Sequence, residues 1–102
     1  MERLIENIKN NKKSIIYFYS KSCRHCKELK PKINLLESKN KEYFFTFNIY
    51  EDEKISDSFK IEYVPTLVIV ENKKITKLEG YDEIEKFYET VIDPISNNKR
   101  NL

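Results

Sequence analysis

Five consecutive apolar residues, Ile15-Ile16-Tyr17-Phe18-Tyr19, lie between Ser14 and Ser20 and form the longest such run in the chain. They do not alternate with polar residues. A strand with one wet face alternates, whereas a strand covered on both faces reads as an unbroken apolar run. The segment is therefore expected to be a central, parallel strand, and the rest of the chain must supply a layer on each side of it. The run is far short of the roughly 20 apolar residues that a bilayer span requires, so no membrane crossing is expected. A chain of 102 residues has room for one such layered domain. With 39% hydrophobic and 13% aromatic residues, disorder is excluded as its main state.

The covering layers can be read on either side of this run. Residues 2–10 carry Leu4, Ile5 and Ile8 and read as a short amphipathic helix. A helix over about 23–39 places Cys26, Leu29, Ile33 and Leu36 at helical spacing. Ser22 is positioned to cap its first turn, Pro31 to kink it, and Asn40 to stop it in a left-handed conformation. Tyr43 to Ile49 reads as a second buried strand, followed over 51–60 by an acid-headed helix with Ile55 and Phe59 inward. Thr66 to Val70 is a third strand. A turn at Asn72-Lys73 leads to a fourth over 74–79, which makes these two an antiparallel hairpin. Ile75 and Leu78 are three apart, which predicts an edge strand with a bulge. Asp82 and Glu85 have capping-box spacing ahead of a last helix with Ile84, Phe87, Tyr88 and Val91 inward, stopped by Pro94. The order α-β-α-β-α-β-β-α gives an α/β fold, a mixed four-stranded sheet with helices on both faces. The domain is expected over 1–93, with 94–102 a loose polar tail.

Charge narrows the partners. The formal net charge is +2, too balanced for a nucleic-acid binder, and Lys9, Lys12 and Lys13 read as solvated lysines. The average hides an asymmetry. Residues 1–42 hold 11 basic and 5 acidic side chains, and residues 43–93 hold 6 and 12. The basic half contains both cysteines. It either steers acidic partner surfaces toward them or is an evenly solvated helix face. No signal-peptide core follows Met1, so the expected compartment is the cytosol. A monomer is expected.

Cys23-Arg24-His25-Cys26 falls where the central strand ends and the long helix begins. Sulfurs at i and i+3 in a first helical turn are close enough to bond. The thiolate is the nucleophile, and a helix N-terminus stabilises an anion there. Lys21, Arg24, His25, Lys27 and Lys30 add positive charge, which lowers a thiol pKa further. His25 is the nearest candidate to tune Cys23. Cys26 lies on the inward stripe and reads as the buried resolving thiol. Other readings are weaker. A four-residue disulfide loop stabilises little by chain entropy. A closed zinc site takes four ligands, and this chain has two cysteines and one histidine.

In this arrangement the chain resembles the thioredoxin family over about residues 1–93. The likeness is carried by Tyr17-Phe18-Tyr19 leading into Cys23-Arg24-His25-Cys26-Lys27, by Pro31, by Phe47-Asn48-Ile49, by Val64-Pro65-Thr66 and by Gly80. The resemblance implies a protein disulfide oxidoreductase that cycles Cys23 and Cys26 between dithiol and disulfide. It implies a cis Val64-Pro65 bond, with Val64, Pro65 and Thr66 shaping a substrate groove. Its partners would be disulfide-containing proteins and a reductase or thiol electron donor, and no cofactor or metal is expected. The alternatives are a binding or adaptor module on the same fold, or a soft-metal carrier using the cysteine pair. Ser22 replaces the family's usual tryptophan, and Arg24-His25 replaces its Gly-Pro, as in the disulfide-isomerase branch. Tyr17 stands at the position of the family's buried acid, and Thr46 at that of its partner lysine. Tyr17 then either fills the core or leaves proton transfer at Cys26 slow or water-mediated.

Overall fold

The computed structural model describes residues 2–92. The tail expected at 94–102, and the stop at Pro94, lie outside the described residues. Eight elements follow in the expected order: α1 Glu2–Lys9, β1 Ser14–Tyr19, α2 Arg24–Lys39, β2 Phe44–Asn48, α3 Glu53–Ser58, β3 Thr66–Glu71, β4 Lys74–Glu79 and α4 Tyr81–Ile92. Among the described residues, no helix is long and apolar enough to cross a membrane.

The sheet order is β2-β1-β3-β4. β1 is interior, as its apolar run requires, but it is parallel to β2 alone and antiparallel to β3. An unbroken apolar run reports cover on both faces and says nothing of neighbour direction. β2, expected as a buried strand, lies at the sheet edge; Phe44, Phe47 and Asn48 are buried and Thr46 is exposed. β3 and β4 form the expected hairpin, and Asn72 and Lys73 both take positive φ, 52° and 66°, as a tight two-residue turn demands. The expected bulge is absent. The register runs unbroken from Thr66 opposite Glu79 to Glu71 opposite Lys74, and the edge strand leaves Ile75 exposed.

The sheet carries one apolar cluster on each face. Ile15, Tyr17, Leu29, Ile33, Leu36, Phe44, Leu67 and Ile84 form the first, with Tyr81, Phe87 and Tyr88 of α4 against it. Leu4, Ile16, Phe18, Phe47, Ile55, Val68 and Val70 form the second, joined by Phe45 and Phe59. Of the inward positions expected in α4, Ile84 is buried and Val91 is exposed.

Helix ends differ in detail from expectation. Pro31 sits inside α2 without ending it. Asn40 does stop α2, yet at φ −131° and not in the left-handed region. Its Nδ2 donates to the Leu36 carbonyl at 2.9 Å, satisfying a terminal acceptor by side chain. At α4 the reciprocal contact is made by Glu83, whose carboxylate accepts the Glu79 N–H at 2.7 Å. Asp82 lies inside the first turn, and Glu85 is turned toward Lys32 instead.

Candidate redox site

The strand register brings four connections to one end of the sheet. Tyr19, the last residue of β1, is level with Asn48 at the end of β2. Thr66 opens β3 beside Phe18 and faces Glu79 at the end of β4. The segments 20–26, 49–52, 63–66 and 80–81 therefore gather at the same end. Two further contacts tie them together. Lys21 pairs with Glu51 at 3.8 Å, and the Gly80 N–H donates to the Pro65 carbonyl at 2.9 Å.

Cys23 and Cys26 are joined in a disulfide, with Cα atoms 5.2 Å apart. Cys23, and not Ser22, is the N-cap of α2: its backbone is extended, and its Sγ accepts the Cys26 N–H at 3.1 Å. A sulfur in that place receives a hydrogen bond from one of the unpaired N–H groups of the first turn. Cys23 is partly exposed and Cys26 is buried, the asymmetry expected of an attacking and a resolving sulfur.

Arg24 and His25 are both exposed and both lie beside Glu28. The Arg24 Nε is 3.7 Å, and the His25 Nδ1 3.3 Å, from the same carboxylate oxygen. His25 also meets the ring of Tyr81 in a tilted contact at 5.7 Å. The Tyr81 hydroxyl donates to Glu85 at 3.1 Å, Glu85 pairs with Lys32, and the Lys32 ammonium lies over the rings of Tyr81 and Tyr88. Lys32 and the Tyr81 hydroxyl hold the Glu85 carboxyl below the usual carboxylate range. This staple fixes α4 against α2 next to the cysteines, and sequence spacing does not reveal it because its members are 53 residues apart.

Val64-Pro65 is cis. Val64 is partly exposed, but Pro65 and Thr66 are buried, and the Thr66 Oγ1 donates to the Tyr63 carbonyl at 2.7 Å. Thr66 thus holds the loop from within, and its side chain does not line an open groove as expected. Two aromatic residues at this end, Tyr50 and Tyr63, are 70% and 63% exposed. Sequence reasoning did not single them out, since nothing in their spacing separates them from buried tyrosines.

Behind Cys26 lies a cleft of about 370 Å³, bordered by Tyr17, Tyr19, Lys27, Lys30 and Thr46 among others. Among the described residues, no group of three or more His, Cys, Asp or Glu side chains is arranged to hold a metal ion.

The sequence profile described as thioredoxin matches residues 2–93. The chain belongs to the thioredoxin family. Its fold is also that of solved thioredoxins. Oxidised mitochondrial thioredoxin 3 from Saccharomyces cerevisiae superposes with a TM-score of 0.69 at 24% identity, over 84% of this chain and 85% of that one. Thioredoxin NaTrxh from Nicotiana alata gives 0.72 at 22% identity, over 87% and 81%. A structure described as the basis of thiol resolution in a yeast mitochondrial 1-Cys peroxiredoxin through glutathione/thioredoxin systems gives 0.72 at 22%, over 89% and 90%. Membership of this family, with a bonded cysteine pair at the start of α2, fits a thiol-disulfide oxidoreductase in general terms.

Proposed function

We propose that this thioredoxin-family protein reduces or exchanges disulfides of partner proteins through Cys23 and Cys26. The observation that carries the reading is the helix N-cap sulfur: Cys23 is partly exposed, hydrogen-bonded by the Cys26 N–H, and already bonded to the sulfur one turn on. In the reduced protein the Cys23 thiolate attacks one sulfur of the partner's disulfide and expels the other as a thiolate. Cys26 then attacks Cys23, releases the second partner sulfur and leaves the Cys23–Cys26 bond. Two electrons have passed to the partner, and a thiol or flavin reductase restores the dithiol. Val64 and the exposed Tyr50 and Tyr63 supply the surface on which an extended partner segment lies, with backbone pairing at the cis-proline loop. The neighbour associated with a peroxiredoxin supports protein disulfides as the substrate class.

The test is reduction of a model protein disulfide. Cys23→Ser abolishes turnover, and Cys26→Ser leaves a trapped mixed disulfide on Cys23, visible as a mass shift. Turnover retained in Cys23→Ser defeats the assignment.

A further inference from the structure

Lys27, Lys30 and Glu37 recur at helical spacing along α2 and share one of its faces. All three are exposed and border the cleft behind Cys26, whose other wall includes the end of β1 from Tyr19 to Lys21. The basic side chains therefore gather at the cysteine end. Glu37, the cleft's one carboxylate, stands about 10 Å beyond Lys30, at ~1.5 Å of helix per residue. Lys21 is paired with Glu51 at 3.8 Å, whereas among the described residues no ion pair engages Lys27 or Lys30. Two unpaired ammonium groups one turn apart repel each other and favour an anion that both can reach. The lining between the charges is apolar. Ile33 is buried, and the half-buried Tyr19 ring is stacked on Tyr17 at 5.9 Å with the two planes 7° apart, which fixes its orientation. A fixed ring of this kind suits an aromatic body. The cleft's volume of about 370 Å³ falls within the ~300–1,000 Å³ of small-molecule sites, which join an apolar lining to a few polar anchors.

We propose that this cleft binds a small aromatic carboxylate or sulfonate, with the anionic group held by Lys27 and Lys30 and the ring against Tyr19 and Ile33. Glu37 opposes a second negative charge at the far end, so the ligand carries its charge at one end only. Binding of this kind needs no thiol chemistry. It goes beyond the exchange reaction proposed above, and the two stand or fall separately.

The probe is 8-anilinonaphthalene-1-sulfonate, an apolar ring system with a single sulfonate, added to the full-length disulfide form. Its control is N-phenyl-1-naphthylamine, the same ring system without the sulfonate. The sulfonate probe is expected to bind saturably, with amide shifts at Tyr19, Lys27 and Lys30 in NMR spectra. Substituting Lys27→Gln and Lys30→Gln together should weaken it about five- to tenfold, the scale of two exposed ion pairs, and leave binding of the neutral compound unchanged. Added sodium chloride should weaken the sulfonate probe and not the neutral one. Equal losses for both compounds, no saturable binding, or shifts centred on the groove at Leu78 and Phe87 or on Tyr50 and Tyr63 would overturn the inference. The salt dependence of the two compounds and the shift map decide it in the wild-type protein if the double variant does not fold.

Discussion

The two faces of the sheet are built from different aromatics. Toward α1 and α3 the rings are Phe18, Phe45, Phe47 and Phe59. Toward α2 and α4 four of them are tyrosines, Tyr17, Tyr19, Tyr81 and Tyr88, beside Phe44 and Phe87. Phenylalanine asks only for shape, whereas each tyrosine brings an oxygen that needs a partner. Tyr81 finds Glu85, and Tyr17 finds no protein group. Cys26 lies on the tyrosine side, where α2 packs. Strand alternation enforces the division, because Ile16 and Phe18 point one way while Ile15, Tyr17 and Tyr19 point the other. One face is a dry structural layer. The other admits polar groups beside the sulfur.

The largest contrast should appear on replacing neighbouring residues of β1. Phe18 is fully buried, with Phe47 and Phe59 at 5.9 and 6.0 Å between ring centres. Phe18→Ala is expected to cost about 3–5 kcal/mol in urea unfolding. The helices above it have eight and six residues, short of the ~12–15 at which isolated helices become even marginally stable, so they depend on that packing. Tyr17→Phe removes an oxygen with no protein partner and stays within about 1 kcal/mol of wild type. A larger loss for Tyr17→Phe than for Phe18→Ala would break the comparison.

A smaller effect sharpens it at the redox end. Gly80 has φ +94°, and a Cβ there would meet nothing within 4 Å, so the cost of a side chain is backbone strain alone. Gly80→Ala is expected to lose about 1–2 kcal/mol. Because the Gly80 N–H is bound to the Pro65 carbonyl, protein disulfide reduction should slow as well. Full activity in a destabilised Gly80→Ala variant would separate this turn from the substrate surface.

These residues also show what the sequence made legible. The element order, the interior place of β1 and the cysteines at the head of α2 follow from local signals: an unbroken apolar run, helical spacing and a strand-helix junction. The antiparallel β1–β3 pairing, the buried role of Thr66 and the Lys32–Glu85–Tyr81 staple do not. They depend on which distant segments meet, and no local period encodes that. Glu85 illustrates the limit. Its spacing from Asp82 is that of a capping box, but a lysine on α2 competes for its carboxylate, and the long-range partner wins. Tyr17 illustrates it from the other side, since the apolar run marks it as a core residue and gives no sign that its buried hydroxyl is left without a protein partner.

The staple gives the smallest expected effect and a pH signature. Glu85 is held below its ordinary value of 4.5 by Lys32 first and by the Tyr81 hydroxyl second. A carboxylate whose folded pKa is depressed adds stability above its unfolded pKa and loses it as the pH falls through the folded one. Lys32 is raised, chiefly by Glu85, and so adds stability below its ordinary 10.5 and loses it as the pH rises through the folded value. The pair therefore stabilises the docking of α4 on α2 between these limits. Glu85→Gln should lower the melting midpoint slightly at pH 7, and the gap to wild type should close as the pH is taken below 4.5. High salt should narrow the gap at pH 7, because both side chains are partly exposed. Calorimetry from pH 7 to pH 3 checks this, and a gap that persists undiminished at pH 3 would mean that packing, and not charge, holds the tyrosine face to α4.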